Sequence, residues 1–214
     1  MAQCNMQAKM RPELCPARTL SAPAGRPEAG YRPWIEVAAQ VRVSVPEWGL
    51  DEAGWVHWAV PVRQGRPEPE AAAAFDPGRR AAVSGEPPGE LRRGEASLDD
   101  SAAAGICEAL LARWQPRVHF HPILRLASRL DEPLEGFRQR CMRLLEPVLR
   151  GAAEGDAEAL ARSRLQAPIE SLALAGDRLE LLNLRAGVGW YPEGVEPAKP
   201  PADPLMQGET WRPR

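Results

Sequence analysis

Residues 34–45, WIEVAAQVRVSV, alternate between apolar and other side chains, and this alternation constrains the fold more than any other stretch of the chain. The apolar positions on one side are Ile35, Val37, Ala39, Val41, Val43 and Val45. Successive side chains of a β-strand point to opposite faces, so this period predicts a strand with one buried face. A second run, residues 55–62, places Val56, Trp58, Val60 and Val62 on one face. The two runs predict a β-hairpin, and Pro61 predicts that the second strand is an edge or ends there.

Helical spacing replaces the alternation further along the chain. A helix that starts at Ser97 or Asp100 and ends at Pro116 is predicted from four apolar residues: Ile106, Leu110, Leu111 and Trp114. A second helix, over residues 132–146, has Asp131 as its predicted N-cap. Its apolar stripe consists of Leu134, Phe137, Cys141, Leu144, Leu145 and Val148. A third, short helix is predicted near residues 156–166.

The last ordered part of the chain returns to strand patterns. The segment RVHFH, residues 117–121, predicts a short strand. Leucines on both sides of AGDR, residues 175–178, predict a second hairpin, and residues 188–191 predict a last short strand. The predicted fold class is therefore α+β, with a small antiparallel sheet from two hairpins packed against two or three helices.

Proline and glycine, with 23 and 18 residues, are concentrated in a few stretches that lack any apolar period. We therefore expect a disordered N-terminal tail over residues 1–30 and a disordered C-terminal tail over residues 193–214. A single domain is predicted over residues 31–192, with a Pro/Gly-rich loop at residues 63–96. The four cysteines form no C-x-x-C pair, and neither a signal peptide nor a membrane span is recognised. We expect a cytoplasmic protein that does not bind membranes.

Reactive motifs are missing from the sequence. A P-loop needs a lysine after its glycines, and neither Lys9 nor Lys199 is so placed. No G-x-S-x-G nucleophile motif is present either. The sequence thus predicts a protein that is not an enzyme and carries no cofactor or bound metal. One enzymatic alternative stays open: His119 and His121 share a face if their segment is a strand, and with His57 they could supply three zinc ligands.

Two groups of side chains are candidates for binding a partner. Tryptophans cluster around the first hairpin, where an exposed subset would form a protein-binding patch. The densest basic group consists of Arg125, Arg129, Arg138, Arg140 and Arg143. The formal net charge is only −2, so any attraction to nucleic acid would depend on this local group. We predict protein binding through Trp55, Trp58, Arg129 and Arg138, with an Arg-rich nucleic-acid-binding helix as the alternative.

The stretch HPILRLASRLDEPLEGFRQRC, residues 121–141, resembles a segment of bacterial ATP-binding proteins of the HerA/FtsK-like translocase group. In those proteins a segment of the type P-x-L-x-L-x-S-R-…-E-x-x-x-x-F-x-x-R follows the motor domain. The matching positions are Pro122, Leu124, Leu126, Ser128, Arg129, Glu132, Phe137 and Arg140. The resemblance spans residues 31–192, but the motor and its P-loop are absent. It implies a non-catalytic accessory module that associates with a HerA/FtsK-like ATPase made by another chain.

Overall fold

The computed structural model describes residues 11–22, 30–74, 82–151, 168–195 and 212–213. The strands within these residues are β1 (Glu13–Leu14), β2 (Arg18–Leu20), β3 (Tyr31–Val45), β4 (Leu50–Arg63), β5 (Arg66–Pro67), β6 (Ala73–Ala74), β7 (Ala82–Ser84), β8 (Arg117–His121), β9 (Leu126–Ala127), β10 (Glu170–Ala173), β11 (Leu179–Pro192) and β12 (Arg212–Pro213). The helices are α1 (Asp100–Arg113) and α2 (Leu134–Gly151). The predicted helix near residues 156–166 lies outside the described residues.

The first hairpin is confirmed. β3 and β4 pair antiparallel from Trp34↔Pro61 to Val45↔Leu50. The turn between them is a 3-10 turn that ends at Gly49, whose φ of 66° suits a residue without a Cβ. The alternating apolar side chains of both strands lie on one face and are buried there. We call this the core face of the sheet, and the side that bears Glu36, Ala38 and Arg42 the opposite face.

The fold class predicted from the sequence is wrong, because the protein is mostly β. Strands make up 44% and helical residues 27%, and one large sheet curls into a half-barrel with only two α-helices among the described residues. The sheet is built on three long strands in the order β4-β3-β11. β11 runs from Leu179 to Pro192 and pairs with β3 along this length, with one register shift between Leu181 and Asn183. The predicted second hairpin therefore does not form, and residues 188–191 are the end of a long strand.

A second, smaller sheet has the order β10-β8-β9. It takes up β10, which the sequence had suggested would pair with the following strand. The 3-10 turn Gly176–Arg178 carries the chain from this sheet to the large one. The hairpin prediction fails here because a turn sequence does not specify which partner each flanking strand pairs with. α1 packs on the core face, and Asp99 caps its first turn by accepting a hydrogen bond from Ala102 N at 2.7 Å.

Residues 11–22, which the sequence assigned to a disordered tail, lie on the large sheet. β1 and β2 both pair parallel with β11. Within the loop predicted at residues 63–96, β6 pairs with β4 and β7 pairs with β2, so this loop contributes strands to both sides of the sheet. No helix among the described residues has the length and apolarity needed to span a bilayer.

Candidate binding groove

The opposite face of the large sheet carries a small apolar cluster of its own, away from the main core. Leu20, Ala59 and Tyr191 are buried there, with Trp34 packed against them. The rings of Trp34 and Tyr191 meet edge-on with 6.0 Å between their centroids. This cluster fixes the end of β11 and thereby positions the Tyr191 hydroxyl beside the polar residues of the neighbouring surface.

A groove of about 200 Å³ opens next to this cluster. Its floor consists of two cross-strand rows of the sheet. One row is His57–Ala38–Arg185, and Glu36 and Gly187 contribute the next row. The wall is the segment Cys15–Arg18, which lies along β11. Four elements, β2, β3, β4 and β11, therefore position the lining side chains.

The wall contains a bulge where it passes along β11. Leu14 pairs with Ala186 and Arg18 with Gly189, so three residues, 15–17, span two positions of β11. Such an extra residue bends a strand and redirects its side chains. Glycine suits this position of β11, since a Cβ on Gly187 would lie 3.1 Å from Cys15 Cβ and 3.2 Å from Cys15 O, closer than most side-chain contacts.

The charged groups of the groove are organised around Glu36. Arg18 Nε lies 2.5 Å from Glu36 Oε2, and the Tyr191 hydroxyl donates to Glu36 Oε1 at 2.7 Å. Burial lowers the pKa of Arg18, but the hydrogen bond and charge of Glu36 outweigh it and leave that pKa raised. Only 14% of the Glu36 side chain is exposed. The carboxylate thus already has two close polar partners.

Cys15 does not have the character of a catalytic nucleophile. Burial, followed by the charge of Glu13, raises the pKa of the Cys15 thiol. A nucleophilic cysteine needs a lowered pKa, because the thiolate is the reactive form. The groove therefore presents Cys15 as a neutral thiol at the pH of a cell.

Arg185 lies at the rim and is supported by an aromatic side chain. Its guanidinium carbon is 5.1 Å from the centroid of the Trp55 ring, and its Nε lies 2.7 Å from Glu13 Oε2. Trp55 also lies near His57, with 6.4 Å between ring centroids. Trp55, one of the predicted partner-binding residues, is thus half-buried beside the groove.

The other predicted partner-binding residues lie elsewhere. Trp58 is 8% exposed and packs edge-on against Trp114 in the main core, so it presents little surface to a partner. Arg129 is exposed and its Nε lies 3.8 Å from Glu52 Oε1. Glu52 pairs with Val43 and so lies on the core face, on the other side of the sheet from the groove. Arg138 lies on the exposed side of α2 beside Glu135. The four residues therefore do not form one surface.

The structure does not bring the three histidines together. His57 is on the opposite face of the large sheet, whereas His119 and His121 are buried in the small sheet. As expected for a strand, His119 and His121 share a side of β8, and His119 stacks on Phe137 of α2 with 6.2 Å between centroids. No group of three or more His, Cys, Asp or Glu residues among those described is arranged to hold a metal ion.

The residues that carry the resemblance to the translocase segment hold α2 on the small sheet. Ser128 Oγ accepts a hydrogen bond from His119 N at 2.9 Å. Arg140 donates to Glu132 at 2.9 and 2.6 Å and to Ala127 O at 2.8 Å. Phe137 is fully buried beneath the Arg140 guanidinium, 5.2 Å from its carbon. These positions stabilise the fold. Arg140 is tied to Glu132 and Ala127 and is only 30% exposed, so it contributes little to an exposed basic patch.

Sequence reasoning missed most of the groove. Cys15 and Arg18 fell in a predicted tail, and Glu36 was only a polar member of an alternating strand. The one available signal was the glycine pair in GVGW, residues 187–190, since glycine inside a strand marks a bulge or a close approach of another backbone.

Comparison with protein-family models, with curated proteins and with solved structures gives no significant match. The resemblance of residues 121–141 to the HerA/FtsK-like segment therefore stays a prediction from the sequence.

Proposed function

We propose that this chain is a non-catalytic interaction module that binds a partner protein through the groove on the opposite face. The partner proposed from the sequence is a HerA/FtsK-like ATPase encoded separately. The observation that carries the proposal is the groove itself: a recess built by four elements and flanked by the half-buried Trp55.

Two potentially reactive groups of the groove, Glu36 and Cys15, are held in ways that do not favour catalysis. Its carboxylate, Glu36, has two strong partners, and its thiol has a raised pKa. A general base must be able to accept a proton from a substrate, and a nucleophile must be deprotonated. Neither requirement is met by these two groups as they are held.

The surroundings of the groove resemble those of interaction sites in their side-chain composition. Tryptophan, tyrosine and arginine are the residues that most often dominate binding energy at protein interfaces. Trp55 and Arg185 stack at the rim, and Tyr191 supports the floor from the adjacent cluster. The stacked pair is thereby held in place before a partner arrives, which reduces the ordering cost of association.

The proposal is tested with two tryptophan variants on the same face of β3. Ala38→Trp fills the groove, whereas Ser44→Trp adds the same side chain outside it. We expect purified chain to bind a HerA/FtsK-like ATPase subunit from the same genome in isothermal titration calorimetry. Ala38→Trp should weaken this binding at least tenfold and Ser44→Trp less than twofold. Equal weakening by both variants, or no binding of any such subunit, would contradict the proposal.

A further inference from the structure

We infer that the outer edge of β4, beside the groove, binds an extended strand of the partner protein, and that β12 occupies this edge until the partner displaces it. This inference rests on the proposed function, because it names how the partner joins the sheet. It depends on three properties of the described residues: the pairing of β12, the length of the β4 edge and the position of Trp55.

The structure places a strand from a distant part of the chain on this edge. β12 pairs antiparallel with β4, with Arg212 opposite Trp55 and Pro213 opposite Gly54. In the order β12-β4-β3-β11 it extends the large sheet by one strand beyond β4. No short turn connects β12 to β4, since the two lie far apart in the sequence. The edge of β4 therefore accepts an extended segment that arrives independently of the hairpin.

The pairing of β12 holds it only weakly. The ladder covers two residues, whereas β3 pairs with the other side of β4 along nearly its whole length. One of the two residues is Pro213, which has no N–H to donate to a ladder. Closing the chain between Val195 and β12 also costs conformational entropy. A longer strand that donates at every residue can therefore displace β12.

The edge is long enough for a partner strand. Among the described residues no strand pairs with it over Leu50–Ala53, and the next strand on this edge, β6, begins its pairing at Trp58. Release of β12 would leave an edge that includes Leu50–Val56, and strands in globular proteins commonly have about 5–6 residues. A sheet edge presents N–H and C=O groups that pair readily with another chain. An extended protein segment is thus the occupant that this edge fits.

Trp55 joins the edge to the groove. It is the residue opposite Arg212 in the ladder, and its ring centroid lies 6.4 Å from that of His57, which lines the groove. The guanidinium carbon of Arg185, another lining residue, is 5.1 Å from the Trp55 ring. A strand paired at Trp55 therefore runs along the rim of the groove. Its side chains on that face can contact Trp55, a residue type that often dominates binding energy at protein interfaces.

The inference is tested with variants of β12, which leave the three long strands unchanged. Arg212→Pro removes the remaining backbone N–H of β12, whereas Arg212→Gln removes the same charge and keeps that N–H. Because β12 and the partner compete for one edge, the apparent affinity of the partner depends on the fraction of chains whose edge is free of β12. In isothermal titration calorimetry, Arg212→Pro should bind the ATPase subunit at least threefold more tightly than the unaltered chain, and Arg212→Gln within twofold of it. Pro213→Val, which restores a donor, should bind at least threefold more weakly.

Hydrogen–deuterium exchange tests whether a strand adds to the edge. The readout is the exchange of the backbone amides of residues 50–56, followed by mass spectrometry. In the free chain, Arg212→Pro should speed this exchange relative to Arg212→Gln, because β12 leaves the edge. Saturation of Arg212→Pro with the subunit should slow the exchange at least tenfold, since hydrogen-bonded amides exchange only when the pairing opens. Tighter binding without this protection would overturn strand addition.

Three further results separate this inference from the proposed function. If all β12 variants bind the subunit equally while Ala38→Trp weakens binding, β12 does not compete, so the inference fails and the interaction module stands. If Arg212→Pro strengthens binding while Ala38→Trp has no effect, the edge is the binding site and the groove is not. If no variant binds a HerA/FtsK-like subunit, the proposed function and the inference both fail.

Discussion

Replacing Arg140 by methionine removes the charged clamp of α2 while keeping a long apolar side chain. Arg140 makes two hydrogen bonds to Glu132, at 2.9 and 2.6 Å, and one to Ala127 O at 2.8 Å. After the substitution, Glu132 keeps only the N–H of Arg129, at 3.0 Å, as a donor. A carboxylate that is 14% exposed would then lose its paired guanidinium and keep only the weaker influence of the Arg129 charge.

The cost of this change can be bounded. Breaking a buried ion pair destabilises a protein by about 3–5 kcal/mol, and breaking an exposed pair costs about 0–1 kcal/mol. The present pair is intermediate, with 30% of the Arg140 side chain exposed. We therefore expect Arg140→Met to lower the free energy of unfolding by about 2 kcal/mol, measured by urea denaturation and circular dichroism.

Two comparisons make the reasoning refutable. The double variant Glu132→Met with Arg140→Met removes both charges and should recover a large part of the loss, because no uncompensated carboxylate remains. Arg138→Met removes an exposed arginine from the same helix and should change stability by less than about 0.5 kcal/mol. A loss of less than about 0.5 kcal/mol for Arg140→Met would refute the clamp.

Three other substitutions test Glu132 and two contacts near the groove. Burial would raise the pKa of Glu132, but the hydrogen bonds from Arg140 and Arg129 outweigh it and lower that pKa. The stability that the charged Glu132 contributes is thus present above the ordinary glutamate pKa of about 4.3 and is lost as the pH falls through the lowered pKa. Glu132→Gln should therefore reduce the loss of stability at acid pH, measured as the free energy of unfolding against pH. Tyr191→Phe should cost about 1.5–3 kcal/mol in a thermal or urea melt, since it removes a hydrogen bond to the Glu36 carboxylate. Gly187→Ala should destabilise by about 1–3 kcal/mol, because its Cβ would crowd Cys15, and an unchanged midpoint would contradict the close approach.

The part of the fold that could be predicted is the part that depends on neighbouring residues. The β3–β4 hairpin follows from alternation on both sides of one short turn, and the register is fixed by that turn. The same alternation places Trp58 in phase with Val56 and Val60 and Trp55 out of phase. The structure shows the consequence, since Trp58 is in the core and Trp55 is half-buried beside the groove.

The part that could not be predicted depends on pairing between distant segments. Leu179 pairs with Val43 and Arg18 with Gly189, and nothing local to either strand specifies its partner. The groove is built across these long-range pairings. Its wall contains a bulge, residues 15–17, in a segment whose sequence does not alternate between apolar and polar residues. Arg18 and Glu36 form the central ion pair of the groove. Because they are brought together only by this long-range pairing, nothing in the sequence indicated that they would meet.

The most direct measurement of groove occupancy uses the Cys15 thiol as a reporter. Cys15 lines the groove and is exposed, whereas Cys107 and Cys141 are buried. In a Cys4→Ser background, the rate of Cys15 alkylation by N-ethylmaleimide is measured with and without a saturating amount of the ATPase subunit. We expect the bound subunit to slow alkylation at least tenfold. An unchanged rate on a saturated complex would place the partner elsewhere and contradict the assignment of the groove as the binding site.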